Sequence, residues 1–329
     1  MISHVQRPGW RFRDHLDPKV ADWIQPYPEG DADRAAFDLA LLGAPLSKTS
    51  ISHSAAFQLP AAIRSAFQSL TPYSVHHRLD LSQRLRMVDL GDVRMHLTDL
   101  ARCHEAIEGA VASYWSTYQV PLVMFGGDHS TTGCAVLGLA RATERRIGIV
   151  HFDAHHDVRN LEDGGRHNGT PFRTLLESGR VKGEHIVQIG LRDFVNAKAY
   201  HEYVLAHGVS VITARQVRRR GLAAVVEEAW RTASRGTDMV YISFDMDVMD
   251  QSVVPGVPAP SPGGLQVWEA VEVLEWLGAQ SQAAMMDIVC ADPTQDVRDL
   301  TTRVAAHLAL SFMTGVALRP DTPEPSGDV

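Results

Sequence analysis

Two short segments of the chain place acidic or imidazole side chains at every second position. One is Asp153-Ala154-His155-His156-Asp157 and the other is Asp245-Met246-Asp247, and each follows an apolar, β-branched run typical of a strand. Strand alternation predicts that Asp153, His155 and Asp157 share one face, as Asp245 and Asp247 do. A third segment, 126–130, places His129 after another apolar run. These six side chains are metal ligands by type, and we expect them to stand together at strand ends.

The number of these ligands predicts more than one metal ion. Four carboxylates and two imidazoles exceed the needs of one tetrahedral zinc, whereas they suit two divalent ions that share carboxylates. Ligation that is rich in carboxylate and free of thiolate favours Mn²⁺ over zinc. A water between two such ions could ionise near neutral pH and act as a nucleophile, so the predicted chemistry is hydrolysis. Taken alone, Asp128 is expected to be a helix cap or a solvated loop residue.

Apolar runs alternate with segments of helical period along the chain. Strands are predicted at 37–43, 120–125, 147–152, 185–190, 209–212, 239–244 and 285–289, with an eighth at 86–90. Helices are predicted at 98–118, 131–141, 196–207, 222–235, 265–277 and 299–313. This alternation predicts an α/β protein with a mainly parallel sheet of about eight strands, covered on both faces. Ligands bind such sheets beyond the carboxyl ends of the strands, where the three ligand segments fall.

The whole chain has the composition of a soluble globular protein. Its 329 residues are 45% hydrophobic and 21% charged, and with no repeat or Gly/Ser linker they predict a single domain over 1–319. The segment 255–264 holds four Pro and three Gly and is predicted to be a rigid loop beside the site. The Pro- and acid-rich tail, 320–329, is expected to be disordered.

Several classes of protein are disfavoured. No apolar run is long enough to span a bilayer and the polar start lacks an apolar h-region, which predicts a cytoplasmic protein without membrane association. Three widely spaced cysteines predict reduced thiols. A net charge of -8 argues against nucleic-acid binding. The basic run Arg218-Arg219-Arg220 is either a solvated helix end, balanced by Glu227 and Glu228, or an anion site.

With these residues in view, the sequence resembles the ureohydrolases, the arginase and agmatinase superfamily, and its longer stretches are most similar to formimidoylglutamases. The resemblance runs from about residue 38 to residue 315. It is carried by the segments 43–53 (GAPLSKTSISH), 90–96 (LGDVRMH), 168–173 (NGTPFR), 245–252 (DMDVMDQS) and 292–294 (DPT), in addition to the ligand segments.

The resemblance implies a three-layer α/β/α arginase-like fold that holds two Mn²⁺ ions per subunit, which share a hydroxide. One ion would take His129, Asp153, Asp157 and Asp245, and the other Asp153, His155, Asp245 and Asp247. Asp157 would also orient the hydroxide, which makes it a catalytic residue. The family hydrolyses a C–N bond of a small amidine or guanidino substrate. For formimidoylglutamase, N-formimidoyl-L-glutamate and water give L-glutamate and formamide, a step of histidine degradation. Homotrimers or homohexamers are usual in the superfamily.

Substrate-binding residues follow from the same comparison and from position. Arg159 and Arg192 follow ligand-bearing strands and are either forks for a substrate carboxylate or solvated. Asn168 aligns with a His that arginases and agmatinases use near the substrate, and Asn suits the formimidoylglutamase pattern. His167, one residue earlier, is the less favoured candidate.

Cys290 departs from the family pattern Ile-Val-Glu-x-Asp-Pro, in which the Glu accepts hydrogen bonds from the substrate cation. A neutral thiol cannot form an ion pair, and losing a charge-assisted bond of ~1.5 to 3 kcal/mol weakens cation binding by roughly tenfold to a hundredfold. Cys290 is therefore either a buried free thiol or a mark of a changed substrate. A nucleophilic role is less favoured because no His neighbours it in sequence.

Four functions remain open on the sequence. The leading hypothesis is a Mn²⁺-dependent hydrolase of formimidoylglutamate. The alternatives are a ureohydrolase-type enzyme for another guanidino or formimino compound, and a non-catalytic metal-binding paralogue. A single-zinc deacetylase is least favoured, because it would need neither His129 nor the second set of ligands.

Overall fold

Nine strands form one sheet in which every neighbouring pair is parallel. The computed structural model describes residues 13–28 and 36–320. Its strands are β1 (Gln25–Pro26), β2 (Leu39–Gly43), β3 (Tyr73–Ser74), β4 (Leu79–Asp80), β5 (Met87–Asp92), β6 (Leu122–Phe125), β7 (Ile147–Phe152), β8 (Ile186–Leu191), β9 (Ser210–Thr213), β10 (Met239–Asp245) and β11 (Ala283–Val289). The order in the sheet is β1-β5-β2-β6-β11-β10-β7-β8-β9, and β3 and β4 pair separately as a short antiparallel ribbon.

Helices connect most of these strands, as parallel pairing requires. They are α1 (Val20–Trp23), α2 (Leu59–Ala66), α3 (Leu100–Thr117), α4 (Ser130–Ala142), α5 (Pro171–Glu177), α6 (Lys198–Ala206), α7 (Ala214–Arg220), α8 (Leu222–Ser234), α9 (Val267–Gly278) and α10 (Leu300–Ala317). A 3₁₀ turn, Met246–Val248, directly follows β10.

Alternation along the strands sorts the apolar side chains into two cores, one on each face of the sheet. Leu39 and Leu41 of β2 belong to the core that packs against α2, α8, α9 and α10. Ala40 and Leu42, the intervening residues, belong to the core that packs against α3, α4 and α5. The result is the three-layer α/β/α architecture, which confirms the predicted fold class.

The eight predicted strands are all present, with ends shifted by at most two residues. The ninth strand of the sheet, β1, was not predicted because two residues carry no periodicity. The short helices α1, α2, α5 and α7 were also missed. Pro60 and Pro171 lie in the first turns of α2 and α5, where proline is tolerated. The run Arg218-Arg219-Arg220 ends α7, is exposed, and reaches Glu228 through Arg220, as a solvated helix end should.

Four neighbouring strands, β6, β11, β10 and β7, bring their carboxyl ends together at one edge of the sheet. The three ligand segments and Cys290 follow these four strands in the sequence. No helix in the described ranges is long and apolar enough to cross a membrane. Apart from Pro320, the tail predicted to be disordered lies outside the described residues.

Candidate metal centre

The ligand segments lie in loops that begin where the strands end. Strand β7 stops at Phe152, so Asp153, His155 and Asp157 do not share the face of a strand, and that part of the sequence prediction is wrong. Asp157 adopts a left-handed backbone conformation with a positive φ of 51°. Asp245 is the last residue of β10 and Asp247 lies in the 3₁₀ turn that follows. The side chains nevertheless converge, because the loops fold over one edge of the sheet.

His129 lies at the centre of a first group of ligands. Its Nδ1 is 3.0 Å from Asp153 Oδ2, 2.9 Å from Asp157 Oδ2 and 3.1 Å from Asp245 Oδ2. His129 and Asp153 are fully buried, whereas the side chain of Asp157 keeps 13% of its surface exposed. The group thus opens toward solvent on the side of Asp157.

A second group surrounds His155, whose Nδ1 is 3.3 Å from Asp153 Oδ1 and 3.0 Å from Asp247 Oδ2. Asp153 therefore directs one oxygen to His155 and the other to His129. Asp245 directs Oδ2 to His129, while its Oδ1 accepts a hydrogen bond of 2.8 Å from the backbone N–H of Asp247. The two groups share Asp153, and Asp245 lies between them.

The far side of the His129 ring determines which nitrogen faces the carboxylates. Ser243 Oγ donates to Asp287 Oδ1 at 3.0 Å and lies 3.0 Å from His129 Nε2. Because the serine proton points to the carboxylate, Ser243 accepts from Nε2–H, and Nδ1 is the nitrogen that faces the three carboxylates. Nδ1 is buried, and no described residue gives it a well-oriented hydrogen bond. Burial favours a lower pKa of His129, but Asp153, Asp157 and Asp245 outweigh it and raise that pKa well above its ordinary value. Without a metal ion Nδ1 therefore carries a proton, and a bound cation would take the place of that proton.

The charges of the four carboxylates shift the pKa values of the group. Burial, and then Asp247 and Asp153, raise the pKa of Asp245 to about 8. Burial and Asp153 raise the pKa of Asp157 to about 6. For His155, burial favours a lower pKa, but Asp247 and Asp153 outweigh it and raise the pKa to about 12. Burial first, and then repulsion from neighbouring carboxylates, raises the pKa of Asp245 and Asp157, and bound cations would relieve this repulsion.

The distances fit two divalent cations. Adjacent ligands of an octahedral ion at about 2.1 Å lie about 3.0 Å apart, which matches the three contacts of His129 Nδ1 and the contact of His155 Nδ1 with Asp247. Ligand atoms of Asp153, His155 and Asp247 lie within 4.8 Å of one another, as do those of His129, Asp245 and Cys290. The residues present therefore support a binuclear metal site.

Several residues that the sequence interpretation missed hold the ligands in place. Ser243 and Asp287 orient His129, and His151 Nε2 contacts Asp153 Oδ2 at 2.8 Å while its ring stacks on Phe172. Each of Ser243, Asp287 and His151 is a polar residue in an otherwise apolar, fully buried strand. That interruption is the signal that could have identified them, since a buried polar group needs a specific partner.

The predicted substrate residues Arg159 and Asn168 lie in the segment that follows Asp157, where the N–H of Arg159 donates to the carbonyl of Gly169 at 2.8 Å. Arg159 is exposed and lines a cavity of about 340 Å³ together with Lys48, His167 and Tyr200. No described carboxylate forms an ion pair with its guanidinium. Asn168 Oδ1 accepts from the backbone N–H of Ile51 at 3.0 Å, so this side chain ties two loops together. His167 Nδ1 accepts from the N–H of Gly169, and its ring lines the same cavity.

Arg192 is engaged with the Pro-rich segment 255–264 and with the loop before it. Its Nη1 donates to the carbonyl of Ser261 at 2.9 Å and its Nη2 to the carbonyl of Met249 at 2.7 Å. The carboxylate of Asp250 accepts from the N–H groups of Gly263 and Gly264. These bonds fix a segment without regular secondary structure, as predicted for it, and they occupy both terminal nitrogens of Arg192.

Cys290 lies within the metal centre, where it shares a group with His129 and Asp245. It is buried, with a positive φ of 64°, and its N–H donates to the carbonyl of Gly127 at 2.8 Å. Burial and the neighbouring Asp245 and Asp247 raise the pKa of its thiol well above the ordinary value. It is therefore a neutral thiol, and like Cys103 and Cys134 it is free.

Together, the fold and the centre define an α/β metalloenzyme with a carboxylate-rich binuclear site at the carboxyl edge of a parallel sheet. The model of the arginase family matches residues 37–315. The chain belongs to the arginase family, as the sequence resemblance predicted.

Relatives and solved structures point to one branch of this family. The chain is 46% identical to the formimidoylglutamase of Halalkalibacterium halodurans, over 85% of this chain and 87% of that protein. It is similar to the crystal structure of formimidoylglutamase from Bacillus subtilis, with a TM-score of 0.91, 38% identity and coverage of 96% and 97%. Trypanosoma cruzi formiminoglutamase with Mn²⁺ matches at a TM-score of 0.83, with 27% identity and coverage of 92% and 100%.

Proposed function

We propose that this protein hydrolyses N-formimidoyl-L-glutamate to L-glutamate and formamide and that it requires Mn²⁺. The observation that carries the proposal is the arrangement of His129 Nδ1, a buried imidazole nitrogen at 2.9–3.1 Å from three carboxylates. The relatives that are 39–46% identical are formimidoylglutamases, and a formiminoglutamase of the same fold holds Mn²⁺.

The geometry supports a specific assignment of ligands. His129, Asp153, Asp157 and Asp245 would hold one ion, and Asp153, His155, Asp245 and Asp247 would hold the other. Asp153 is suited to bridge because its two oxygens face different imidazoles. When bound, the two ions would lower the pKa of a shared water and so supply a nucleophile near neutral pH.

The remaining chemistry belongs to the side chains around the substrate. Asp157 is the proposed catalytic residue, since its carboxylate lies at the solvent-facing side of the centre and can accept a hydrogen bond from the attacking water. This bond would orient the water toward the planar amidine carbon. Protonation of the nitrogen that leaves then frees L-glutamate and formamide.

Arg159 is the proposed partner of a substrate carboxylate. The substrate is a dicarboxylate, and Arg159 is an exposed guanidinium two residues after Asp157, at the wall of the cavity shared with Lys48. Asn168 would contribute indirectly, because its bond to the N–H of Ile51 holds in place a loop that lines this cavity. For Arg192 the bonds to Ser261 and Met249 favour a role in holding the segment 255–264 over direct substrate binding.

The assembly proposed from the family resemblance is a homotrimer or homohexamer of single-domain subunits. Light scattering coupled to size-exclusion chromatography measures it directly, and a monomeric mass would contradict this part of the proposal.

The decisive experiment measures formamide release by purified protein reconstituted with Mn²⁺. Asp245→Ala removes a carboxylate shared by the two proposed sites and should abolish turnover. Asp238→Ala, which removes an exposed carboxylate near the opposite end of β10, should leave turnover unchanged. The proposal fails if wild-type protein releases no formamide at millimolar substrate, or if Asp245→Ala remains active.

Position 290 tests substrate selectivity. The comparisons do not favour another guanidino substrate or a non-catalytic role, but the thiol occupies the place of the family Glu. Cys290→Glu should raise kcat/KM for guanidino compounds by roughly tenfold to a hundredfold, if a charge-assisted hydrogen bond is gained. Formimidoylglutamate, arginine, agmatine and guanidinobutyrate form the panel, and Cys290→Ser is the uncharged control. An unchanged profile would exclude a selectivity role for Cys290.

A further inference from the structure

A hydrogen-bonded chain of five side chains leads from the metal centre to the protein surface. It begins at Asp153 and passes through His151, Gln188 and His156 to His201, with contacts of 2.8, 3.2, 2.7 and 3.1 Å. Gln188 is fully buried in the middle of β8, where its register partner on β7 is His151. Gln188 interrupts an apolar strand, and the proposed reaction gives it no role.

A backbone carbonyl fixes the orientation of the Gln188 amide. Its Nε2 lies 2.8 Å from the carbonyl oxygen of His156, which can only accept a hydrogen bond. The nitrogen must therefore occupy that position, and Oε1 must be the atom that faces His156 Nδ1. The amide is thus oriented by a group that has no alternative state.

The oriented amide in turn determines where two imidazoles carry their protons. The second N–H of Gln188 donates to His151 Nδ1, so the proton of His151 is on Nε2, from which it donates to Asp153 Oδ2. Gln188 Oε1 accepts from His156, so His156 is protonated at Nδ1 and its Nε2 accepts from His201 Nδ1. Stacking of Phe172 on His151 keeps the plane of that ring fixed.

We propose that Gln188 is a positioning residue for the metal centre. It holds His151 in the tautomer that donates to Asp153, and so directs the carboxylate lone pairs toward both proposed metal positions. The inference rests on the metal binding at Asp153 that belongs to the proposed function. Groups that hold a metal ligand from behind typically contribute a factor of about 10 to 100 in metal affinity.

The same chain does not serve as a path for protons between the centre and solvent. A carboxamide keeps both its N–H protons and does not pass one from His151 to His156. The exposed end, His201, is therefore dispensable to the centre. Replacing His201 with alanine should leave Mn²⁺ affinity and kcat unchanged. If the chain carried protons, His201→Ala would instead lower kcat.

The test compares Gln188→Glu, which has the same shape but no N–H, with Gln68→Glu, which adds the same charge at an exposed position. Long-range ¹H–¹⁵N NMR of the Mg²⁺-loaded, diamagnetic protein reports the imidazole tautomers. Electron paramagnetic resonance of free Mn²⁺ reports the two dissociation constants. In Gln188→Glu we expect a proton on His151 Nδ1 and Mn²⁺ affinity weaker by about 10- to 100-fold. The loss of activity should be reversed by excess Mn²⁺, with KM unchanged, which a general loss of structure would not allow.

A second pair of variants covers the case in which Gln188→Glu does not fold. In His151→Gln the amide Nε2 can donate to Asp153 without any tautomer. Gln188→Leu should therefore weaken Mn²⁺ binding in the wild-type background and have no further effect in His151→Gln, a coupling that a double-mutant cycle measures. The inference is overturned if His151 keeps its proton on Nε2 and Mn²⁺ affinity is unchanged in Gln188→Glu. If wild type itself binds no Mn²⁺, the proposed function fails instead.

Discussion

His129 is directed by a serine and a carboxylate that never touch the proposed ions. Ser243 accepts from Nε2 and donates to Asp287, and Asp287 also accepts from Tyr241 and Thr132, each at 2.6 Å. The side-chain oxygens of Ser243 and Asp287 are thus satisfied inside the protein, which holds the His129 ring in a fixed orientation. At the scale of residues, these supporting hydrogen bonds determine which nitrogen of His129 faces the carboxylates of the metal centre.

Replacing Ser243 with alanine tests this support. The His129 Nε2–H would then be buried without an acceptor, at a cost of about 1–3 kcal/mol, and the ring would be free to change tautomer. We expect Mn²⁺ affinity to fall by about 10- to 100-fold, measured by equilibrium titration. Ser311→Ala is the matched control, because Ser311 is a buried serine of α10 that donates only to the carbonyl of His307. Equal affinities in the two variants would contradict the predicted role.

The loop between β6 and α4 shows how elements position a ligand. An added Cβ at Gly127 would lie 1.8 Å from the backbone oxygen of Leu46, so this loop packs directly on the segment after β2. Asp128 fastens the same two segments, since its carboxylate accepts from the backbone and side chain of Thr49 and of Ser130. His129 follows Asp128 directly and is the N-cap residue of α4. The close backbone contact is therefore part of what places its ring.

Gly127→Ala should be destabilising because neither backbone can move away without displacing a strand end. Overpacking of this kind costs about 1–3 kcal/mol, measured as the free energy of unfolding in urea. Gly109→Ala, in the interior of α3 with open space around the added Cβ, should instead stabilise by about 1 kcal/mol. If both variants changed stability in the same direction, the close contact with the Leu46 backbone would not explain the effect of Gly127→Ala.

Helix α3 carries a buried histidine that should make stability depend on pH. Burial, with a contribution from Arg166, lowers the pKa of His104 from 6.5 to about 4. The unfolded chain therefore binds the extra proton first, and stability is lost as the pH falls from about 6.5 to 4. His104→Leu should reduce this slope by up to about 1.4 kcal/mol per pH unit, measured by urea unfolding across that range. Tyr114→Phe, on the same helix, is the control, since burial raises the pKa of that phenol far above this range.

At the scale of the whole molecule, the parts predicted from sequence are those with a local signal. The apolar runs of β2, β6, β7, β10 and β11 predicted the parallel sheet. The types and spacing of the six ligands predicted metal-dependent hydrolysis. The two-residue strand β1 had no such signal. Ser243, Asp287 and Gln188 interrupt apolar strands, which marks them as unusual but does not identify what they contact. Their partners are far away in sequence, so only the tertiary structure shows what each one contacts.

At Asp245, stability and metal binding oppose each other: the carboxylate destabilises the metal-free protein at high pH but would bind the metal ions. Its folded pKa of about 8 exceeds the unfolded value, so the metal-free protein loses stability as the pH rises from about 4 to 8. Asp245→Asn removes this charge in nearly the same shape. With a chelator at pH 8, we expect the variant to melt at a higher temperature than wild type.

Mn²⁺ should reverse that order. Each ion bound at a concentration of about 100 times its Kd adds about 2.7 kcal/mol to the folded state, and wild type can use two such sites. Wild type should therefore gain several degrees in Tm with Mn²⁺, and Asp245→Asn should gain much less. Thermal melts of both proteins, with chelator and with Mn²⁺, measure whether the order of their melting temperatures reverses. A wild type that melts at the same temperature in both conditions would contradict the idea that metal ions neutralise these carboxylates.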